Sequence, residues 1–366
     1  MNEFVIAATR SMKSYASRVV ERLMAFPSFS GWAHSIDGVE LLQADRFADG
    51  EVEVTVRESV RGKDVVLFAS CAPNEAFVGV SEAKLELYHA VDALKRSQAR
   101  QIVVFEPFIS CARSDRATRR NSVGLWMHFK ILSSLGTRHI LTYQIHSNKS
   151  VSMLDPTICT IDNIPVLNLM KRYLCDTYIQ DMDVLENDVR HNWVFCSVDA
   201  GGEKIAKEFA NAFGAQLVVA HKQRDYSRAN TIESISILSA EPIEGKVLWI
   251  VDDMIDTAGS VESLIHALKP LCPKEINIVA PHAVFSPPAP KRLNALAESG
   301  LLNRIIVADT ITPNNLSEIV PRMEIVPSAE LSAGVIRILA LKESLSRTLL
   351  PFDAEKYLKS RGLFSG

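Results

Sequence analysis

The sequence predicts an α/β fold of two domains, each a mainly parallel sheet flanked by helices. The chain has 366 residues, of which 47% are hydrophobic, and this is enough for two hydrophobic cores of ordinary size. In both halves, short apolar runs typical of buried strands alternate with segments whose apolar residues recur at helical spacing. Strands that alternate with helices along a chain are typical of parallel sheets with right-handed crossovers.

The first half of the chain is predicted to supply the first sheet. Val52, Val54 and Val56 alternate with charged or polar residues after an Asp-Gly turn, which indicates a half-exposed strand. The other strands are apolar runs, and the last of them is predicted to end at His146. Strands are expected at 4–8, 52–56, 64–70, 101–108 and 139–146, and helices at 12–24, 82–96 and 123–135.

The second half of the chain shows the same alternation of predicted strands and helices. Strands are predicted at 193–198, from 216 into a basic loop, at 247–251, at 275–286 and at 304–310. Pro156 and Pro165 flank irregular sequence, so we place a domain boundary there. Residues from Ser328 onward are predicted to be helical and to pack on either domain. The expected domains are 1–158 and 159–340, followed by a helical tail at 341–366.

Composition argues against several classes of protein. A formal net charge of −3 does not fit general binding to nucleic acid, and no apolar run approaches the ~20 residues of a membrane span. The short apolar run near the N-terminus does not resemble a secretory signal. The six cysteines are scattered and form no C-x-x-C pair, which indicates buried residues of a reduced, cytoplasmic protein and gives no support for zinc.

One segment, Lys246 to Ser260, combines several features of a phosphate site. Its apolar run, 247–251, is typical of a parallel strand that is buried on both faces. Acidic residues and a turn of small residues follow, and a helix is predicted next, ended by Pro270. Backbone N–H groups at a helix start hold phosphate, and carboxylates at a strand end hold Mg²⁺ or ribose hydroxyls. The residues concerned are Asp252, Asp253, Asp256, Thr257, Ala258, Gly259 and Ser260.

Four other segments fit phosphate or metal chemistry. Asp199 and two glycines follow the strand at 193–198, so the backbone there can approach a pyrophosphate closely. His146 is predicted at a strand end. Arginines at 113–120 and basic residues at 222–228 are suited to neutralising phosphate charge. The sequence contains no Walker-type motif, which argues against an ordinary P-loop kinase.

Together these segments resemble the ribose-phosphate pyrophosphokinase family, which makes phosphoribosyl pyrophosphate. FADGE at 47–51 and CARSDR at 111–116 are similar to the family's ATP loops, and HKQR at 221–224 is similar to its catalytic flexible loop. VDDMIDTAGS at 251–260 resembles the family's ribose 5-phosphate loop, and HAVFSPPA at 282–289 resembles another of its segments.

The resemblance implies a fold, a reaction and a role for each residue. The fold would be two related phosphoribosyltransferase-type domains, assembled as dimers within hexamers. The reaction would transfer the diphosphoryl group of ATP to the anomeric hydroxyl of ribose 5-phosphate, with Mg²⁺, and AMP would leave. The implied roles are ATP binding by Phe47, Asp49, Glu51, Arg113, Ser114, Asp115 and His146, Mg²⁺ binding by His146 and Asp199, catalysis by Lys222 and Arg224, and ribose 5-phosphate binding by Asp252, Asp253, Asp256, Thr257, Ala258, Gly259 and Ser260.

The sequence departs from the family pattern at three single positions, in residues 147–149 after His146, in a short basic loop after Arg116 and in extra sequence around 31–39. Ser114 stands where the family has Gln, Ala117 where it has Lys, and Gln144 where it has Asp. Three alternatives therefore stay open. The chain could be a phosphoribosyltransferase that consumes phosphoribosyl pyrophosphate, which would leave FADGE and CARSDR unexplained. It could be a non-catalytic regulatory subunit associated with the synthetase. It could also perform the same chemistry on a different ribose-phosphate acceptor.

Overall fold

Contacts along the chain group its described residues into two units. A computed structural model describes residues 4–29, 32, 38–72, 79–224, 232–311 and 323–362. One unit lies within Met1–Pro165, Thr310–Asn314 and Pro327–Leu349, and the other lies within Val166–Asp309, Asn315–Val326 and Leu350–Gly366. The division after Pro165 lies beyond the predicted domain bound at residue 158. Residues 327–340, predicted to belong to the second domain, group with the first unit.

The described residues contain the following strands and longer helices. The strands are β1 (Phe4–Ala8), β2 (Leu42–Arg46), β3 (Val52–Val56), β4 (Asp64–Phe68), β5 (Gln101–Glu106), β6 (His139–Tyr143), β7 (Thr160–Ile164), β8 (Trp193–Ser197), β9 (Gln216–Arg224), β10 (Ile232–Ser239), β11 (Val247–Val251), β12 (Met254–Ile255), β13 (Glu275–Ala283), β14 (Arg304–Ala308) and β15 (Met323–Val326). The helices are α1 (Lys13–Met24), α2 (Val80–Arg96), α3 (Gly124–Leu135), α4 (Leu167–Tyr178), α5 (Glu203–Phe213), α6 (Gly259–Leu268), α7 (Ala289–Glu298), α8 (Ala329–Ala340) and α9 (Ala354–Gly362).

The first unit is built on a five-stranded sheet in the order β1-β4-β5-β6-β7, with every neighbouring pair parallel. Strands β1, β4, β5 and β6 are almost entirely buried because helices cover both faces of the sheet, whereas the edge strand β7 is partly exposed. On one face, apolar side chains of α2 and α3 pack against β4 and β5. On the other face, Tyr15 of α1 contacts Phe68, and its hydroxyl bonds to Ser328 and Ser332 beside α8. Helix α8 therefore belongs to the core of this unit.

The second unit is built on a larger sheet in the order β10-β9-β8-β11-β13-β14-β15, to which β12 adds by pairing with β13. All of its pairs are parallel except the β9–β10 hairpin. Helices α6 and α7 pack on one face of the sheet. Aromatic side chains fill the other face, where Trp193 and Phe195 contact the rings of Phe209 and Phe213 of α5, and Trp249 contacts Trp193. Helix α9 contacts α4 and α5.

These sheets confirm the predicted α/β class with mainly parallel strands, but three local predictions are wrong. The strand predicted to reach His146 ends at Tyr143, because Gln144 adopts a positive φ of 39° and turns the chain out of extended conformation. The segment predicted to be irregular contains β7, which pairs with β6. The basic stretch at 221–224, predicted as a loop, continues β9 because its backbone pairs with β10.

Two further expectations can be compared with the structure. Among the described residues, no helix combines the length and the apolar character needed to cross a membrane. Four cysteines are buried as predicted, whereas Cys111 is partly exposed and Cys272 is exposed, so the prediction of burial is wrong for Cys272. Burial raises the pKa of the Cys196 thiol to about 12, which keeps this sulfur in the unreactive thiol form.

Candidate ribose-phosphate site

The segment from Asp252 to Ser260 leaves β11 and ends in the first turn of α6. Residues Val247 to Val251 pair in parallel with β8 on one side and with β13 on the other. This double pairing places Asp252 at the carboxyl edge in the interior of the sheet, the position where α/β proteins hold their ligands. We call residues 252–260 the phosphate loop.

Ala258 gives the phosphate loop its shape. It has φ 58° and ψ 7°, in the left-handed region that is unfavourable for a residue with a Cβ, and α6 begins at the next residue. The Glu262 N–H donates to the Ala258 carbonyl at 2.9 Å and closes the first turn of the helix. A left-handed residue directly before a helix makes neighbouring N–H groups converge, as they do in backbone anion sites. The predicted helix start is therefore present here, and phosphate binding at it stays a prediction.

Strand β13 and helix α7 hold the phosphate loop from one side. The Ile255 carbonyl accepts hydrogen bonds from the N–H groups of Val284 and Phe285, both at 3.0 Å. The Thr257 carbonyl accepts one from Nη1 of Arg292 at 2.9 Å. The sequence patterns did not predict a role for Arg292 at this site. The HAVFSPPA segment, singled out in the sequence, ends three residues before Arg292. Arg292 lies 35 residues from Thr257, so no local sequence pattern connects these two residues.

A second loop, at Asp199–Gly202, lies beside the phosphate loop. It follows β8, the neighbour of β11, so both loops leave the same edge of the sheet. A Cβ atom added at Gly202 would lie 3.9 Å from Oδ1 of Asp252, which shows how closely the two loops approach. Oδ1 of Asp199 accepts hydrogen bonds from the N–H groups of Gly201 at 2.9 Å and Gly202 at 3.2 Å. These bonds close a tight turn that leads into α5, and the predicted approach to a pyrophosphate stays a prediction.

The carboxylates at this edge repel one another. Asp252 is half-buried, and its Oδ1 accepts the N–H of Asp253 at 2.9 Å. Burial first, and then the charges of Asp253 and Asp199, raise the pKa of the Asp252 carboxyl well above its ordinary value. A cation or a sugar hydroxyl placed here would relieve that repulsion, so the charge arrangement suits a ligand of either kind.

The predicted catalytic residues Lys222 and Arg224 lie in β9, on the other side of β8. Strand β8 ends opposite Val219, so β9 runs on past the edge at which the Asp199 loop begins. The backbone of Lys222 and Arg224 belongs to this extension, where it pairs with β10. The side chains of 222–234 and the chain at 225–231, which includes Arg228, lie outside the described residues. Both catalytic assignments stay predictions.

In the first unit, the FADGE segment is the tip of the β2–β3 hairpin. The Phe47 N–H donates to the Glu51 carbonyl, and Gly50 has a φ of 92°, a conformation that favours glycine at the turn. Asp49 closes the turn, since its Oδ1 accepts the Glu51 N–H at 3.1 Å. The Phe47 side chain is 52% exposed, which is unusual for a residue of this size. A hairpin tip that exposes an aromatic ring is consistent with the predicted contact to a nucleotide.

The CARSDR segment follows β5 and leads toward α3. The Ser114 hydroxyl accepts the Gly124 N–H at 2.9 Å, and the Ser114 carbonyl accepts the Leu125 N–H at 3.1 Å. Ser114 therefore ties the loop to the start of α3, a structural reason for serine at this position. Arg113 is exposed, and Asp115 is half-buried. ATP binding by these three residues stays a prediction.

His146 lies beyond β6, the neighbour of β5, so it shares the carboxyl edge of the first sheet with the CARSDR segment. Strand β7 shapes the chain before it, because Oδ1 of Asn163 accepts the Ile145 N–H at 2.9 Å. The His146 side chain is exposed. In the described part of the chain, no group of three or more His, Cys, Asp and Glu side chains is arranged to hold a metal ion by itself.

Comparisons with known proteins agree with this geometry in both units. Residues 4–136 match the family model described as the N-terminal domain of ribose phosphate pyrophosphokinase, and residues 178–297 match the phosphoribosyl transferase domain. The chain is 31% identical over 326 residues to ribose-phosphate pyrophosphokinase of Wolinella succinogenes, an alignment that covers 88% of this chain and 96% of the relative. It is 30% identical over 305 residues to the enzyme of the same name from Chlorobaculum tepidum, covering 83% and 85%.

A solved structure extends this similarity to the whole fold. The crystal structure of phosphoribosylpyrophosphate synthetase from Mycobacterium smegmatis aligns with a TM-score of 0.76 at 26% sequence identity, and the alignment covers 93% of this chain and all of that one. Two phosphoribosyltransferase-type α/β units, with a phosphate loop at a sheet edge, define the class of protein. The chain belongs to the ribose-phosphate pyrophosphokinase family.

Proposed function

We propose that this protein transfers the diphosphoryl group of ATP to the anomeric hydroxyl of ribose 5-phosphate. The phosphate loop carries the proposal, because its left-handed Ala258, its helix start and its adjacent carboxylates suit a phosphorylated sugar. A phosphoribosyltransferase would share that loop. The first unit, which matches the N-terminal domain of ribose phosphate pyrophosphokinase, favours the synthetase over such a transferase.

In the proposed step, the anomeric oxygen forms a bond to the β-phosphorus of ATP. The bond between that phosphorus and the oxygen bridging to the α-phosphorus breaks, so AMP leaves and the hydroxyl proton is released. The phosphate loop would hold the 5-phosphate, and Asp252 and Asp253 would hold the ribose hydroxyls. Lys222 and Arg224 would stabilise charge on the transferring group, which is the main requirement of phosphoryl transfer.

Mg²⁺ fits the residues present. It commonly uses one or two carboxylates together with substrate phosphates, and so needs no cage of three protein ligands. The Asp199 loop approaches Asp252 closely, since a Cβ atom added at Gly202 would lie 3.9 Å from Oδ1 of Asp252, so carboxylates from both loops lie at one sheet edge. Bound Mg²⁺ would neutralise the phosphate charge. Asp199 and His146 stay its predicted ligands, as Phe47, Asp49, Glu51, Arg113, Ser114 and Asp115 stay predicted contacts of ATP.

Phosphorus NMR of the protein mixed with ATP, Mg²⁺ and ribose 5-phosphate tests the proposed reaction. We expect AMP to form in step with a new anomeric diphosphate. If neither forms at any Mg²⁺ or phosphate concentration tried, the proposal fails and a regulatory subunit becomes the better interpretation. If AMP forms only with another 5-phosphorylated ribose derivative, the chemistry stands and the acceptor assignment is wrong.

Lys222→Ala separates catalysis from binding. We expect kcat to fall by roughly 10²–10³-fold with little change in either KM, because the lysine is proposed to act on the transition state. Lys204→Ala, at an exposed position of α5, is the matched control and should retain full turnover. Equal changes in kcat and in KM for ATP would mean that Lys222 only holds ground-state ATP. Self-association, to be measured by sedimentation, and a cytoplasmic location are further proposals from family membership.

A further inference from the structure

Arg292 joins helix α7 to the phosphate loop through two contacts. Its Nη1 donates to the Thr257 carbonyl at 2.9 Å, and its Nε lies 3.0 Å from Oε2 of Glu262 in the first turn of α6. The two contacts use different nitrogens of one planar guanidinium group, so they fix its position and its orientation together. The loop and the helix that follows it are thus held by one side chain.

The contact with Thr257 sets the direction of the next N–H group. The peptide between Thr257 and Ala258 is planar and trans, so its carbonyl and its N–H point in opposite directions. A carbonyl held against Arg292 directs the Ala258 N–H away from α7. Ala258 is also left-handed, a conformation that persists only when its surroundings impose it. The contact of Arg292 with the Thr257 carbonyl holds the peptide that precedes this residue.

The contact with Glu262 has an electrostatic consequence. An acidic residue in the first helical turn favours the helix itself, but its charge opposes an anion bound at that helix start. The guanidinium lies against that carboxylate and cancels much of its charge. Without Arg292, the phosphate loop would present Glu262 to an incoming phosphate.

Gly259 shows how closely Arg292 approaches the loop. A Cβ atom placed on Gly259 would lie 2.9 Å from Nη1 of Arg292, closer than side-chain carbons tolerate. The guanidinium is the end of a flexible chain and could move aside, but the move would break its contact with Thr257. The absence of a side chain at 259 is therefore matched to the arginine at 292.

We propose that Arg292 is a positioning residue for the 5-phosphate of the acceptor. It orients the phosphate loop through Thr257 and neutralises Glu262. The inference rests on the proposed function, since it concerns the loop assigned to ribose 5-phosphate. It adds a residue that affects binding of the acceptor and does not affect binding of ATP.

Steady-state kinetics of Arg292→Met, with calorimetric titration of ribose 5-phosphate, tests this role. We expect KM and Kd for ribose 5-phosphate to rise roughly tenfold, the effect of losing a charge-assisted contact, with KM for ATP unchanged. Arg292→Lys keeps the charge without the fork and should give a smaller rise. Lys291→Met removes the same charge from the exposed neighbouring position of α7 and should match the wild type.

A double-mutant cycle with Gly259→Ala keeps the test valid if Arg292→Met folds poorly. Gly259→Ala alone should weaken ribose 5-phosphate binding several-fold by displacing the guanidinium. In the Arg292→Met background, Gly259→Ala should reduce the affinity for ribose 5-phosphate much less, because the guanidinium that it displaces is absent. If the fold-loss in affinity for ribose 5-phosphate in the double variant equals the product of the two single fold-losses, the proposed coupling is overturned.

The outcomes separate the two proposals. If the wild type neither binds ribose 5-phosphate nor forms AMP, the proposed function fails and the role of Arg292 falls with it. If the wild type does both and Arg292→Met behaves like Lys291→Met, only the role of Arg292 is overturned. A rise in both KM values together would also overturn it, since that would indicate general damage to the fold.

Discussion

Lys171 is a lysine buried inside the second unit. Its side chain is 3% exposed and lies on α4, where Nζ sits 5.0 Å from the centre of the Phe209 ring and 3.9 Å from Oε2 of Glu208. Burial lowers the pKa of Lys171 to about 8, and the charge of Glu208 partly opposes that effect. An unfolded chain holds its lysine protons up to about pH 10.4. The folded protein therefore gives up this proton about two pH units earlier.

The pH dependence of stability should report this group. Between about pH 8 and pH 10.4 the unfolded chain binds a proton that the folded chain does not, so Lys171 makes the free energy of unfolding rise with pH. Lys171→Met removes this contribution. We expect the variant to gain on the order of 2–3 kcal/mol over the wild type at pH 7 and to lose that advantage by pH 10. Urea unfolding at a series of pH values measures the difference.

Lys207→Met is the control for Lys171. It removes a lysine from an exposed position of α5, the helix that also carries Glu208 and Phe209. Its difference from the wild type should stay small and constant across the same pH range. A constant difference for Lys171→Met as well would mean that the buried amine keeps an ordinary pKa.

At the scale of elements, a strand could be predicted where its own sequence carries a clear pattern, either a continuous apolar run or the alternation seen in β3. The run Val247–Val251 is covered on both faces, and its composition alone identified it. Strands β7 and β10 were missed, and both lie at the edge of a sheet. Their sequences, TIDNI and IESISILS, carry polar residues that an edge accommodates. Such strands form because their backbone pairs with a neighbouring strand. A local sequence pattern does not show which strand that partner is.

The same reasoning applies to the candidate site. The phosphate loop and the Asp199 loop were predicted because strand, turn and helix start follow one another within a few residues. Arg292 was not, since it reaches the loop across the sheet edge from α7. The structural role of Ser114 was not predicted either, because its hydroxyl accepts the N–H of Gly124 from the far end of a loop. Sequence pattern locates candidate ligand loops at a sheet edge, while the residues that hold these loops in place are seen only in the three-dimensional structure.

A buried polar chain joins three elements of the first unit. Oε2 of Glu106, at the end of β5, lies 2.6 Å from Nε2 of His128 on α3, and both side chains are almost fully buried. Nδ1 of His128 lies 3.0 Å from the Tyr88 hydroxyl on α2. Polar groups at this depth are costly unless each keeps its partner. The chain therefore fixes how both helices pack on the sheet.

Removing both partners should lower the free energy of unfolding by less than the sum of the two single removals. We expect His128→Leu to lower the free energy of unfolding by about 3–5 kcal/mol, because Glu106 is left buried without its partner. The double variant Glu106→Leu with His128→Leu should lose clearly less than the sum of the single changes. Chemical denaturation measures all three. Lys130→Leu, exposed on the same helix, should change little, and additive losses would show that the pair is not coupled.

At the scale of the whole molecule, the C-terminal segment is shared between the two units. Helix α8 packs on α1, and Ser332 bonds to Tyr15 and Tyr143 in the first unit. Helix α9 lies in the second unit, where Arg361 bonds to Asp176 of α4 at 3.0 Å. The tail was predicted to pack on either domain, and its two helices divide between them. Neither unit is therefore completed by a single continuous stretch of chain.

This division predicts a selective effect of truncation. Ending the chain after Leu349 removes α9, whose Ala354 and Leu358 are buried, and its ion pair between Arg190 and Glu355 at 2.6 Å. We expect amide hydrogen exchange to accelerate in α4 and α5, by roughly tenfold or more for a loss of ~1.4 kcal/mol, and to stay unchanged in β1, β4 and β5. Ending the chain after Gly362 keeps these contacts and is the control. Equal acceleration in α4 and α5 and in β1, β4 and β5 would show that α9 stabilises the two units as one cooperative body.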